Sequence, residues 1–233
     1  MSSANPPGNK TPHLPEDYDT KIKSVLPYYS SFHLETINFV KSLPSTPKIW
    51  MDTGCGTGSL ISEAIEQFPD TKFLMLDPSE KMLELAKDKF PSYNHKRVEF
   101  LKASPTQEFS QKLEKKPDAI TAIQCHHYLD RENRTKALKK CYELLKKGGI
   151  FITFENISPL TEEGISVGKR YWGEFQSVHG RSEDEVEAHL KRFGAEYFPI
   201  NVEEHLKLLR ETGFRTVELF WYSYMQAGFY CIK

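Results

Sequence analysis

The spacing of apolar and polar positions divides the chain into periodic segments punctuated by glycine and proline. "YDTKIKSVLPYYSSFHLETINFVKSL" predicts two short helices broken at Pro27. "PKIWMD" predicts a short strand. "SLISEAIEQF" places Leu60, Ile61, Ala64, Ile65 and Phe68 at helical spacing. "TKFLMLD" is a continuous apolar run ending in an acid, the pattern of a buried strand. "PSEKMLELAKDKF" opens with a helix-start signal and sets Met82, Leu83, Leu85 and Ala86 on one side. "RVEFLKA", "PDAITAIQC" and "GIFITFE" predict three more strands. "RENRTKALKKCYELLKKGG" between the last two predicts a long amphipathic helix with a glycine stop.

Strand and helix alternate five times, the signature of βαβ units and a parallel sheet covered on both faces. Residues 158–200 interrupt the alternation with the charged and aromatic segment "GKRYWGEFQSVHGRSEDEVEAHLKRF", which predicts a helical insertion. "NVEEHLKLLRETGF" predicts another helix. "TVELFWYSYMQAGFYCIK" predicts two strands with a break near Gln226 to Gly228, a closing hairpin. The expected fold is therefore α/β: a doubly wound, Rossmann-like, mostly parallel seven-stranded sheet. It carries a C-terminal antiparallel hairpin and a helical lid insertion. Residues 1–13 predict a polar, proline-rich mobile tail. Residues 14–233 predict one domain, with lid helices from 14–45 and 158–200.

Composition narrows the partners. Thirty-one basic against 32 acidic residues leave a net charge of -1, which gives no electrostatic case for nucleic acid or a membrane surface. The basic run in "KALKK" reads as the solvated face of a helix. No apolar run reaches the ~20 residues of a membrane span. The N-terminus lacks the apolar core of a signal peptide. The four cysteines are scattered without a C-x-x-C pair, so a zinc site or disulfide framework is not expected and a reducing cytoplasm fits best.

The chemistry concentrates in "WMDTGCGTGSL". Gly54, Gly56 and Gly58 lie where the first strand hands over to the first helix of the sheet. There they let the backbone turn tightly and approach a ligand with no Cβ in the way. The next strand ends in Asp77, nineteen residues past Gly58, where an acid accepts hydrogen bonds from both hydroxyls of a ribose. The loop reads D-x-G-x-G-x-G rather than the dinucleotide pattern. Asp52 is a poor neighbour for pyrophosphate and suits a cofactor carrying positive charge, such as an ammonium or sulfonium.

"IWMDTGCGTGSL", "FLMLDPSEKMLELAK", "PDAITAIQCHHYLD" and "LLKKGGIFITFE" together resemble the class I S-adenosylmethionine-dependent methyltransferases. The resemblance implies that S-adenosyl-L-methionine is the cofactor. It places Gly54, Cys55, Gly56 and Gly58 against the methionine moiety, Asp77 on the ribose, and Pro78 and Met82 beside the adenine. After the third strand that family commonly has an acid for the adenine amino group. Here Ala103 and Ser104 occupy that stretch, and serine offers an uncharged acceptor. "LPYYSS" and the segment from "GRSEDEV" to the end resemble, more nearly, carboxy-S-adenosylmethionine synthase, a tRNA-modification enzyme of the same fold. That likeness implies cofactor contacts from Tyr29 and Gln124, and offers Arg192 as the arginine for an extra carboxylate.

Two function classes follow: a methyltransferase of a small-molecule acceptor, or a synthase-like enzyme consuming the cofactor. A cofactor-binding protein without turnover is the non-enzymatic alternative. His126 is the candidate base facing the pocket and His127 the one facing the core. Tyr28, Tyr171 and Trp172, with Phe175, His179 and Arg192, are expected to roof the acceptor. The aromatic terminal hairpin suits a homodimer.

Overall fold

A computed structural model describes residues 11, 13–91 and 96–233. Its centre is a seven-stranded sheet of β1 (Ile49–Thr53), β2 (Lys72–Leu76), β3 (Val98–Phe100), β4 (Ala119–Ile123), β5 (Ile150–Asn156), β6 (Thr216–Ser223) and β7 (Gln226–Ile232). The spatial order is β3-β2-β1-β4-β5-β7-β6. β1 to β5 pair in parallel, and β7 runs antiparallel to both β5 and β6.

Period-2 alternation within these strands builds two cores. Trp50, Phe73, Met75, Ile152 and Phe154 join the core on one face, while Met51, Leu74, Leu76, Ile120 and Phe151 join the core on the other. Both faces are apolar because both are covered. The helices are α1 (Tyr18–Val25), α2 (Tyr29–Lys41), α3 (Ser59–Ala64), α4 (Glu80–Asp88), α5 (Arg131–Leu144), α6 (Glu162–Val178), α7 (Glu183–Lys191) and α8 (Val202–Thr212). Leu138 and Cys141 of α5 and Leu209 of α8 pack on the Met51 face. Phe32 of α2, Ile61 of α3, Leu83 of α4 and Trp172 of α6 pack on the Trp50 face.

Helix starts follow local chemistry. Ser79 accepts from the Met82 amide to start α4, and Asp130 accepts from Asn133 to start α5. Ser182/Glu185 and Asn201/Glu204 form reciprocal caps on α7 and α8.

Three expected boundaries shift. α3 stops at Ala64, although Ile65 and Phe68 stay buried beyond it. β3 keeps only three residues. The hairpin turns at residues 224–225 rather than at 226–228, with Tyr224 at φ 51°. Gly228 is a strand residue: a Cβ there would come within 2.7 Å of the Phe154 ring, so the glycine serves close packing, not a turn.

Residues 1–10 and 12 of the expected tail lie outside the described residues, whereas Thr11 is placed and His13 is buried. The helices of residues 14–45 and of the insertion sit together, since the Trp172 indole of α6 donates to the Val25 carbonyl of α1 at 2.6 Å. No helix among the described residues is long and apolar enough to cross a membrane.

Candidate active site

The chain runs from β1 outward through β2 to β3, then returns to β4 on the other side of β1. The carboxyl ends of β1 and β4 therefore diverge at a topological switch point, where open α/β sheets bind ligands. A cavity of about 380 Å³ occupies that place. A cleft of similar size at the opposite, amino ends of β1 and β2 is lined by Lys48, Lys72, Glu99 and Lys112 and meets no part of the glycine loop.

Gly54 and Gly56 line one wall of the cavity. Gly54 adopts φ +74°, and a Cβ there would lie 2.6 Å from the Cys125 Cβ at the end of β4. No L side chain satisfies both demands. The Gly54 and Cys55 amides donate to the Leu76 carbonyl at 2.7 and 2.9 Å, which pins the loop to β2.

Asp77 stands at the cavity floor, 7% exposed. Its carboxylate accepts from the Gly56 amide at 2.9 Å and the Ser79 amide at 2.8 Å, one on each oxygen. A carboxylate has about four acceptor sites, so two remain. Burial pushes the carboxyl up to about 6, against the opposing pull of those two amides. Pro78, Met82 and Gln124 complete the expected cofactor residues that reach the cavity. Gln124 is held at φ 56°, and neither its amide oxygen nor its amide nitrogen has a partner among the described residues.

Six other expected cofactor residues do not line the cavity. Asp52 lies inside β1, accepting from the Thr121 hydroxyl at 2.6 Å, and burial raises its carboxyl to about 6. Gly58 caps α3 against Phe90 and Ala86. Cys55 packs in the core beside the loop. Ala103 packs against the core, and Ser104 spends its amide on the Asp77 carbonyl and its hydroxyl on Pro105. Tyr29 stands behind Tyr18, their rings edge-to-face at 6.3 Å and their hydroxyls hydrogen-bonded. Tyr18, at the start of α1, is the ring that reaches the cavity. The tyrosine-rich motif itself does not reach the cavity; the tyrosine that does lies eleven residues earlier, on the preceding helix.

The expected base does not face the pocket. His126 is 3% exposed and stacks 6.3 Å from Phe151 on the far face of the sheet, with neither ring nitrogen partnered among the described residues. Burial pulls it down to about 4, so it is neutral and shut away from the cavity. His127 is core-facing, as expected. The residue of this turn that lines the cavity is Tyr128, whose hydroxyl burial pushes up to about 12.

The expected acceptor roof is also displaced. Trp172 is fully buried against α1. Tyr171 is 56% exposed and stacks at 4.1 Å on Tyr224, with Tyr28 also against Tyr224. Phe175 stacks on His179. Arg192 pairs with Glu196 at 2.6 Å, stands over the Tyr197 ring and does not line the cavity, although its charge acts on the cavity-lining Tyr128. Tyr171, Trp172 and Phe175 lie on α6, whose inner face packs on α1 and α7.

A polar clip closes the cavity side of α1. Asp19 accepts from the Thr57 and Ser59 hydroxyls at 2.7 and 2.9 Å, and Lys89 just beyond α4 reaches Asp19 at 2.6 Å. One turn of α1 is thereby tied to the glycine loop. Asp19→Ala is expected to raise the rate of limited proteolysis within residues 14–28 roughly fivefold, because local opening forfeits several hydrogen bonds while the core is untouched. Fragment mapping by mass spectrometry reads this out; an unchanged cleavage rate would show that the clip does not hold α1.

The fold is that of the class I S-adenosylmethionine-dependent methyltransferases. Within it, residues 51–151 match a family model described as a methyltransferase domain. Carboxy-S-adenosyl-L-methionine synthase from Nautilia profundicola is 23% identical over 202 residues, 87% of this chain and 84% of that protein. Magnesium protoporphyrin IX methyltransferase from Synechocystis PCC 6803, solved with bound SAH, superposes with a TM-score of 0.61 at 15% identity, over 91% of this chain and 86% of that one. A Nostoc punctiforme chain described as a candidate O-methyltransferase superposes with a TM-score of 0.67 at 14% identity. The present chain is covered in full, but it spans only 64% of the Nostoc chain, less than two thirds.

Proposed function

We propose that the protein is an S-adenosylmethionine-dependent methyltransferase of a small-molecule acceptor. Asp77 carries this reading: a buried carboxylate with two acceptor sites still open at a switch-point cavity fits the two hydroxyls of a ribose. Gly54 and Gly56 would hold the amino-acid end of the cofactor by bare backbone, and the unsatisfied Gln124 amide would bond it there. Pro78 and Met82 would flank the base. Helices from residues 14–45 and 158–200 serve as the lid, with Tyr18 as its inner surface.

The cofactor supplies a methyl group on a sulfonium. The chain's part is to orient the acceptor in line with that carbon and to exclude water. Tyr128 lines the cavity with a hydroxyl that burial keeps protonated, so it positions an acceptor as a hydrogen-bond donor and does not act as a base, while Tyr18, whose hydroxyl is engaged with Tyr29, supplies the wall. No histidine among the described residues lines the cavity, which favours an acceptor that needs no strong base. Four free thiols without a pairing partner among the described residues support a reducing, cytoplasmic setting. Exposed Leu219 and Tyr222 on the edge strand β6 support a homodimer through the hairpin.

One observation favours the synthase-like reading: Arg192 stands directly behind Tyr128, within one hydrogen bond of the cavity. Its pairing with Glu196 leaves its charge engaged, which favours the plain cofactor. Mass spectrometry of the nucleotide co-purifying with the protein decides between them. Unmodified S-adenosylmethionine or S-adenosylhomocysteine is the expected mass, and a carboxylated cofactor would overturn the first reading in favour of the second. A screen with methyl-labelled cofactor then tests turnover, and absence of transfer to any metabolite would favour binding without catalysis.

A further inference from the structure

The loop between β3 and β4 turns through a short 3-10 segment, Thr106–Glu108, that forms the cavity wall beyond Pro78 and Met82. Ser104, the residue in line for contact with a base, is occupied: its amide donates to the Asp77 carbonyl at 3.1 Å and its hydroxyl to Pro105 at 3.1 Å. Two other side chains on this wall can accept a hydrogen bond, Gln107 and Glu108. Glu108 is exposed, so water satisfies it without a ligand. The Gln107 Oε1 is buried and has no partner among the described residues. A buried acceptor left unpaired is costly, and at a cavity wall a donor from a bound ligand would satisfy it.

We propose that Gln107 reads the amino edge of the adenine ring, its carboxamide oxygen accepting from the exocyclic amine. This rests on the cofactor reading of the cavity. With the sugar on Asp77 and the amino-acid end on the Gly54 side, the base extends past Pro78 and Met82 toward residues 105–108. The purine edge presents one amine donor, and the orphaned Gln107 oxygen is its complement. The recognition is neutral, so it does not change with pH over the range in which carboxylates titrate. A carboxamide also has a limited power of rejection: turned over, it offers N–H to a 6-oxo purine. The protein is therefore expected to tolerate a hypoxanthine base better than a protein using a carboxylate there.

The test is calorimetric binding of S-adenosylhomocysteine and its 6-oxo analogue, S-inosylhomocysteine, to the wild type, Gln107→Glu, Gln107→Leu and Glu108→Gln. Gln107→Glu can only accept, so its preference for the adenine form is expected to rise at least tenfold over that of the wild type. Gln107→Leu is expected to bind S-adenosylhomocysteine about tenfold more weakly, with its melting temperature not lowered, because the substitution removes an unpaired buried acceptor from the ligand-free protein. Glu108→Gln is expected to keep the wild-type preference between the two nucleosides, whatever its effect on overall affinity. Equal selectivity across all four proteins, or a selectivity change confined to Glu108→Gln, overturns the role of Gln107 while leaving the cofactor reading intact. Failure of the wild type to bind either nucleoside overturns the cofactor reading itself.

Discussion

Asp77→Ala is expected to weaken S-adenosylhomocysteine binding by at least tenfold. A hydrogen bond to a charged acceptor contributes roughly 1.5–3 kcal/mol. Removing both ribose hydrogen bonds at once therefore exceeds the ~1.4 kcal/mol that corresponds to a factor of ten. The substitution also releases the Gly56 and Ser79 amides from their carboxylate, so the loop and the start of α4 lose their common anchor. Titration calorimetry measures the change, and equal affinity in the variant would refute the assignment of Asp77 to the sugar.

The same residue predicts a pH dependence with a definite sign. Burial lifts Asp77 to about 6 in the free protein, so below that pH it is protonated and must lose its proton to accept from both hydroxyls. Affinity is therefore expected to be flat above pH 7 and to fall below pH 6, by about tenfold at pH 5, with a proton released on binding. For the ligand-free fold the sign is opposite. A carboxyl raised by burial loses stability as pH climbs from the ordinary carboxylate range through about 6, and ligand restores what ionisation costs. Asp52 titrates in the same range, so Asp77→Asn separates them: its affinity is lower and no longer changes between pH 5 and 7 if Asp77 is the responsible group.

Glu155→Ala is expected to cost about 3–5 kcal/mol of stability, because it orphans several buried donors at roughly 1–3 kcal/mol each, partly offset by relief of the buried charge. Glu155 is buried at the end of β5 and receives four donors. The His126 amide (3.2 Å) and the Thr153 hydroxyl (2.8 Å) meet one oxygen, and the His127 amide (2.8 Å) and His127 Nδ1 (2.9 Å) meet the other. A carboxylate only accepts, so His127 carries its proton on Nδ1. Its Nε2 then accepts from Asn156, whose side-chain oxygen accepts from Gln226. Burial keeps His127 neutral; burial also pushes the Glu155 carboxyl up, but the hydrogen bond from His127 outweighs it and holds Glu155 down at about 2. Because that carboxyl is depressed, its contribution to stability is present above the ordinary carboxylate range and disappears as pH falls toward 2.

Arg134, bonded to the His126 and Phe198 carbonyls, closes the other side of the turn His126–Tyr128. The turn is what presents Tyr128 to the cavity. Glu155→Ala should lower the melting temperature on the order of 10 °C. Glu155→Gln should fail to rescue it, since its NH2 group would confront backbone N–H donors. Thermal unfolding followed by circular dichroism tests both, and a drop below about 2 °C would show that the network is incidental to the fold.

Some of the cavity lining was legible because it is carried by residue type at a strand end. Gly54 and Gly56 answer a backbone demand, Asp77 closes an apolar run, and Gln124 ends a strand; each holds its place whatever packs around it. His126 was misread because adjacent residues of a 3-10 turn point apart, and which one faces the cavity depends on where Glu155 anchors the turn. That Gln107 lines the cavity was not legible, because residues 102–118 carry no periodicity and a glutamine in a loop has no signal beyond polarity. Tyr18 and Tyr29 lie on consecutive helices, and only the kink at residues 26–28 decides which ring stands in front.

The linear pattern of this chain determined its alternating elements, its two-faced sheet and the bare loop above β1, because periodicity and glycine act through the local backbone. It did not determine which polar side chains meet at the cavity, how the insertion turns its aromatics, or where the hairpin bends. Those depend on contacts between segments far apart in the chain, such as the Phe154 ring over Gly228 and α1 clipped to the loop by Asp19, and no local preference encodes a partner so distant in sequence.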